Sequence, residues 1–341
     1  MTEPGTMNHV DDSTAVNHGR DDSAFTRLIE QHRRELHVHC YRMLGSFDDA
    51  EDAVQDAFLR AWRYRETRRE GAPLRPWLYQ IATNACLDVI ARDKRRTSLT
   101  AAAEAGDDVA RSVDEVTWLQ PYPDSLLEPT APRESEPDAM VVTKETIELA
   151  FLTVIQLLTP QQRAALILRD VLGWSAKETA DVLDVSVAAV NGALQRGRAT
   201  LRRHLPSRKP EWPVGVDATA AERELLRKLV QASEEPNAAL FESVIREDAV
   251  FRMPPEPGVT VGRDAMIRLW IEGGFTTSMR LRCVLTRANR QPALACYNLG
   301  TDGETYEAMA MDVIGIDQGM IAEIITFPPT VFERFGLPLT L

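Results

Sequence analysis

The sequence predicts a multidomain, α-rich protein: two all-α helical modules, the second a helix-turn-helix, followed by an α+β domain with an antiparallel sheet. Three observations predict it. Apolar residues recur at helical spacing from Ala24 to Arg96, and again from near Val141 to Leu205. Inside the second of these stretches, hydroxyl-led capping signatures flank a tight turn. Beyond residue 213, two helical runs give way to five β-rich runs, the order of an α+β domain.

These patterns divide the chain into a disordered leader (1–22), a first helical module (23–97), an acidic linker (98–140), a helix-turn-helix module (141–206) and an α+β domain (213–341). The leader is polar and acidic and lacks the apolar core of a signal peptide, which predicts a cytoplasmic protein. No run approaches the roughly 18 apolar residues of a membrane span, so no membrane partner is expected. The net charge of −12 argues against a uniform nucleic-acid binder, but it is unevenly spread. The first helical module carries +3 and residues 141–212 carry +3, whereas the linker carries −8. Two basic modules are therefore separated by an acidic segment, and the linker's Pro, Ser, Asp and Glu predict at most transient order. The four cysteines are too scattered for a disulfide framework. His37, His39 and Cys40 lack a second half-site, so neither a metal nor a cofactor is expected.

The stretch from Leu158 to Leu205 is the most informative. Thr159 reads as an N-cap with Pro160 at the first helical position and Gln162 three residues on. Ser175 and Glu178 form a second capping box that opens a short helix over 176–183, and Ser186 caps the helix after the turn. Three capped helices with a tight turn match a helix-turn-helix. On the last helix Val187, Val190, Leu194 and Leu201 form the apolar stripe. Ser186, Ala188, Ala189, Asn191, Gln195, Arg196, Arg198 and Arg202 point elsewhere. Small and polar residues at the helix start suit base edges, and arginines further along suit phosphates.

The first module contains an acidic helix, SFDDAEDAVQDAFLRAW. Stepping by about 100° per residue puts Ala50, Ala53, Val54, Ala57, Phe58, Ala61 and Trp62 on one apolar face. Asp48, Asp49, Asp52 and Asp56 gather opposite, with Leu59 among them. The macrodipole favours carboxylates near a helix start, which accounts for part of this pattern. It leaves an exposed Leu ringed by acids, which suits a protein interface with an apolar centre and a polar rim. The following helix buries Trp77, Leu78, Ile81, Ala82, Ala85, Cys86 and Val89, and offers Asn84, Asp88, Arg92, Lys94, Arg95 and Arg96 on its other side. The loop before it adds Arg63, Arg65, Arg68 and Arg69 around Tyr64, and basic residues interleaved with aromatics suit single-stranded DNA.

At DDAEDAVQDAFLRAWR, RPWLYQIATNACLDVIARDKRR and the helix-turn-helix stretch, the chain resembles the sigma-70 family of bacterial transcription initiation factors, of the small extracytoplasmic-function type. The resemblance implies that Asp48, Asp52, Gln55, Asp56 and Leu59 dock on the β′ clamp helices of core RNA polymerase, and that the helix-turn-helix module reaches the β flap. Tyr64, Arg68, Arg69, Trp77, Asn84, Asp88, Arg92, Arg95 and Arg96 would then melt and capture the −10 element of promoter DNA. Ser186, Ala188, Ala189, Asn191, Gln195, Arg196, Arg198 and Arg202 would read the −35 element. The linker would pass through the polymerase active-site channel.

The last region resembles the SnoaL-like polyketide-cyclase cone fold, helices packed on a curved antiparallel sheet around a pocket, through its element order and VFRMPPEPGVTVGRDAMIRLW. That resemblance implies a regulatory domain that packs on both helical modules, with a pocket filled by side chains or open to a small ligand. Every histidine lies at or before His204, so this domain has no imidazole for acid–base work, and Asp264, Glu307 and Asp312 form no recognisable pair. No catalytic residue is expected. The alternative is a one-component, ligand-sensing helix-turn-helix regulator, which predicts a stable dimer on a palindromic operator.

Overall fold

The computed structural model describes residues 23–68, 71–105, 116–127, 147–204, 219–235, 237–274 and 278–341. The expected leader, Arg69 and parts of the linker lie outside the described residues.

The first module comprises α1 (23–30), α2 (Arg33–Leu44), α3 (Phe47–Tyr64) and α4 (Leu74–Arg92). Gly45 ends α2 in the left-handed conformation (φ +72°), and Ser46 immediately caps α3 by accepting from the Asp49 amide at 3.2 Å. The expected apolar face of α3 is the buried one: Ala50, Ala53, Val54, Ala57, Phe58 and Ala61 are all in the core. On α4 the expectation holds for Leu78, Ala82, Ala85 and Cys86. Trp77, Ile81 and Val89 are only half-buried, while Tyr79, Thr83 and Ile90 are buried. The burial shifts around α4 because a second module covers it: the Tyr79 ring packs on Trp174 at 5.0 Å.

The linker departs from expectation in two places. Residues Lys94–Ala105 form a helix, α5. Residues 116–127 lie as a docked strap, with Val116, Leu119 and Tyr122 buried. The surrounding acids dominate the composition of the linker, whereas order depends on these few apolar side chains finding a surface.

The second module follows as α6 (Leu149–Ile155), α7 (Pro160–Leu166), a π turn at Ile167–Val171, α8 (Ala176–Leu183) and α9 (Val187–His204). Thr159 accepts from the Gln162 amide, and the Ser175–Glu178 capping box is complete in both directions. Val190 and Leu194 are buried as expected, but Val187 is 42% exposed.

The third region opens with α10 (Ala220–Glu234) and α11 (Ala238–Val244), followed by β1 (Ile245–Arg252), β2 (Thr260–Val261) and α12 (Arg263–Glu272). The strands β3 (Leu281–Ala288), β4 (Gln291–Leu299), β5 (Tyr306–Asp317) and β6 (Met320–Phe327) complete it. The sheet order is β2-β1-β6-β5-β4-β3. It is mixed where an antiparallel sheet was expected: β1 and β6 run parallel, because α12 and the remaining strands intervene between them. Bulges at Cys296/Tyr297 and Gly315/Ile316 bend the central strands.

One sheet face, with Leu294, Ile314 and Ile324, packs on Leu226, Leu229, Phe241 and Met266 of the helices. The other face, with Ala293, Ala295, Tyr297, Met311, Val313 and Phe327, shares one continuous core with the strap and both helical modules. A cavity of about 10 Å³ remains between strap and sheet, lined by Val116, Leu119, Thr153, Arg252 and Ile325, room for one water at most.

Candidate polymerase and promoter interfaces

The acidic helix α3 presents the surface its sequence predicts at Asp52, Gln55 and Leu59. Asp52 and Gln55 are exposed, and Leu59 is 70% exposed among them. Asp56 pairs with Arg60 at 2.6 Å, and the same guanidinium reaches Asp88 of α4 at 2.7 Å. Asp49 is half-buried and pairs with Arg96, while Asp48, though exposed, is already engaged. Arg334, in the turn Pro329–Phe335 after β6, reaches it at 3.0 Å, and the strap residue Gln120 donates to it at 2.8 Å. The same Gln120 accepts from the Asp48 amide at 3.0 Å, so strap and C-terminal domain meet at the start of α3.

The residues expected to face the −10 element separate into three groups. Asn84, Arg92 and Arg95 are exposed, and Tyr64 is 49% exposed. Arg68, hydrogen-bonded to the Ala72 carbonyl, and Trp77 are half-buried, while Asp88 is held by Arg60. Arg96 contradicts the expectation: it is 2% exposed, paired with Asp49 and Asp93, and lies over the Trp118 ring of the strap at 5.1 Å. A guanidinium among three basic neighbours reads as surface in sequence. Here α5 turns it inward onto two carboxylates and an aromatic face, which satisfies a buried charge.

Every residue expected to read the −35 element is exposed. Ser186 accepts from the Ala189 amide at 3.1 Å, fixing the helix start. Arg198 is bidentate to Asp170, at 2.8 and 2.5 Å, and this hydrogen-bonded carboxylate raises its pKa further. The His37–His39–Cys40 group does not converge. His37 meets the Tyr122 hydroxyl at 2.9 Å, while His39 meets Thr83 at 2.9 Å and is held neutral by burial, its pKa driven down to about 3. Among the described residues no three metal-ligating side chains come together.

The residues that sequence reasoning missed are those joining the modules. The β3–β4 turn carries Asn289, with φ +55° and its side chain fully buried. Its Oδ1 accepts from the Tyr122 amide at 2.7 Å, and its Nδ2 donates to the Tyr41 hydroxyl at 2.8 Å and the Ile147 carbonyl at 2.7 Å. One side chain thus binds the strap, the first module and the second. Beside it, the Gln291 side-chain oxygen accepts from the Leu149 amide at 3.0 Å. Arg163 of α7 is buried against the first module, donating to the Met43 carbonyl at 2.5 Å, to Gln156 Oε1 at 2.6 Å and to two further carbonyls. No carboxylate is among these partners, and burial lowers its pKa to about 9. No local sequence signal marks either residue.

Two helical modules, the first with an exposed acidic helix face and the second with an exposed helix after a tight turn, thus precede a third, α+β domain. Residues 28–96 match sigma-70 region 2, and residues 148–201 match sigma-70 region 4. The extracytoplasmic-function RNA polymerase sigma factor SigG of Mycobacterium tuberculosis is 35% identical over 339 residues, 96% of this chain and 89% of that protein. The chain belongs to the extracytoplasmic-function sigma-70 family, which binds core RNA polymerase and promoters and is not enzymatic. SigW of Bacillus subtilis is 28% identical over 185 residues, 54% of this chain and 90% of its own length. The crystal structure of SigJ from M. tuberculosis superposes with a TM-score of 0.58 at 23% identity, covering 92% of this chain and 99% of that one. The likeness in fold therefore extends through the C-terminal domain.

Proposed function

We propose that this sigma factor is held in a closed arrangement by its own C-terminal domain, and that opening is required for promoter recognition. The observation that carries the reading is Asn289, whose side chain binds strap, region 2 and region 4 at once. Geometry explains why this matters. The −10 and −35 elements lie about 25 base pairs apart, roughly 85 Å of helix axis at ~3.4 Å per pair. Modules packed on one another through Arg163 and Met43 are held side by side rather than free to separate.

In this reading Asp52, Gln55, Asp56 and Leu59 dock on the β′ clamp helices, and the exposure of Asp52, Gln55 and Leu59 leaves that face open to core polymerase. Asp48 joins them only after Arg334 and Gln120 release it. Tyr64, Trp77, Asn84, Arg92 and Arg95 serve the −10 element. Ser186, Ala188, Asn191, Gln195, Arg196 and Arg202 serve the −35 element, with Arg198 exchanging Asp170 for a phosphate. Arg96 is assigned instead to holding the strap.

Run-off transcription with core polymerase tests the proposal. The chain ending before residue 213 is expected to initiate more strongly than the full-length protein at equal concentration. Equal initiation by the two would remove the regulatory role. Absence of initiation by both the full-length and the shortened chain would favour a one-component regulator.

A further inference from the structure

The β3–β4 hairpin that carries Asn289 at its tip also carries two cysteines nearer its base. Cys283 and Cys296 are direct cross-strand partners, and their sulfurs lie 3.6 Å apart. The Cys283 amide donates to Glu234 of α10 at 2.9 Å rather than to β4, which marks a non-hydrogen-bonded pair. Such pairs bring Cα atoms to about 4.5 Å, inside the roughly 4.4–6.8 Å span of disulfides. Cys283 is half-buried on the edge strand, whereas Cys296 is buried. The remaining cysteines, Cys40 and Cys86, are both fully buried inside region 2.

We propose that Cys283 and Cys296 form a dithiol that a peroxide oxidises to a disulfide, and that the disulfide tightens the hairpin clasp on the helical modules. The clasp half of this proposal rests on the closed arrangement proposed above. Cys283, the more accessible sulfur, reacts first. Its thiol gives its proton to solvent, the thiolate attacks one peroxide oxygen, the O–O bond breaks, and the departing hydroxide takes a proton from solvent to become water, leaving Cys283 as a sulfenic acid. Cys296 then gives its proton to Asp312, whose Oδ2 lies 3.8 Å from its sulfur. The Cys296 sulfur attacks Cys283, the S–S bond forms, the S–O bond breaks, and the departing hydroxide takes the proton as water. Two thiols and one peroxide become one disulfide and two waters.

Asp312 suits the proton-accepting role. Burial raises its pKa to about 6, so it is ionised at neutral pH. The Cys296 thiol is itself raised, first by its hydrogen bond with Cys283 and then by burial, which is why the attack begins at Cys283. From there to Asn289 is roughly 20 Å of strand at ~3.3 Å per residue, a short lever for a covalent tie between the two strands.

The test uses the full chain treated with hydrogen peroxide. Intact mass should fall by about 2 Da, the two thiol hydrogens. Peptide mapping should join Cys283 to Cys296, and dithiothreitol should reverse the change. An unchanged mass, oxygen addition without linkage, or linkage of Cys40 to Cys86 alone would each overturn the site. Cys283→Ser should abolish the loss. The clasp is read separately by hydrogen exchange at the Tyr122 amide, expected to slow about threefold or more on oxidation. Unchanged exchange in linked protein would overturn the clasp half. Transcription enters neither readout, so failure here is distinct from failure of the regulatory role.

Discussion

Replacing Asn289 by glycine removes the side chain that joins three parts of the chain while preserving its backbone. Asn289 sits at φ +55°, where glycine is unstrained and alanine is not. All three side-chain hydrogen bonds leave the C-terminal domain, so its internal stability is largely spared. The Tyr41 hydroxyl keeps its bond to the Gln120 carbonyl at 2.7 Å. The Tyr122 amide and the Ile147 carbonyl lose Asn289 in a buried setting, since both residues are 1% exposed. Each such loss costs about 1–3 kcal/mol, and water entering the vacated space favours the lower half of that range. A total of about 2–4 kcal/mol corresponds to a roughly 30- to 700-fold shift toward the open arrangement at ~1.4 kcal/mol per tenfold.

The readout is hydrogen exchange at the Leu149 amide. It is bonded to Gln291 across the same interface and does not touch Asn289. Its exchange should accelerate by that factor while amides within β5 stay protected, and initiation in run-off transcription should rise in parallel. A folded variant in which Leu149 exchanges as slowly as in the parent chain would refute the reasoning.

Two further outcomes follow from the structure. Leu59→Asp should weaken core polymerase binding by about 2 kcal/mol or more, as loss of an interface centre does. Its thermal stability should stay within about 0.5 kcal/mol, because the side chain is 70% exposed; undiminished co-purification with polymerase would count against the docking face. Asp312 has its pKa raised by burial from 3.8 to about 6, so between those values the native state binds the extra proton. Stability from this group should therefore rise as pH falls from about 6 toward 4. Asp312→Asn should flatten that dependence in thermal denaturation across the window, and an unaltered slope would contradict the assignment.

Much of the architecture was legible in the residues alone because the signals that define it are local. Ser175 and Glu178 are three positions apart, and their capping box forms as written. Ala50, Ala53, Val54, Ala57 and Phe58 fall on one side of α3 by helical geometry, leaving Leu59 outward. The order of helices and strands beyond residue 219 likewise follows from short-range patterning. The strap was illegible because Val116, Leu119 and Tyr122 are too sparse in an acidic stretch to register as an element. Arg96 was misplaced for a related reason: nothing beside it in sequence reveals Asp49 and Trp118 as its partners.

By itself, then, the sequence determined the helical modules, their capped ends, the outward acidic face and the recognition helix. Each depends on residues within a few positions of one another. Only the tertiary structure decided that the modules close on each other. Asn289 reaches Tyr41 from 248 positions away, and Arg334 reaches Asp48 from 286. Such contacts depend on which surfaces exclude water together and which buried polar groups find partners, and no pattern along the chain encodes that pairing.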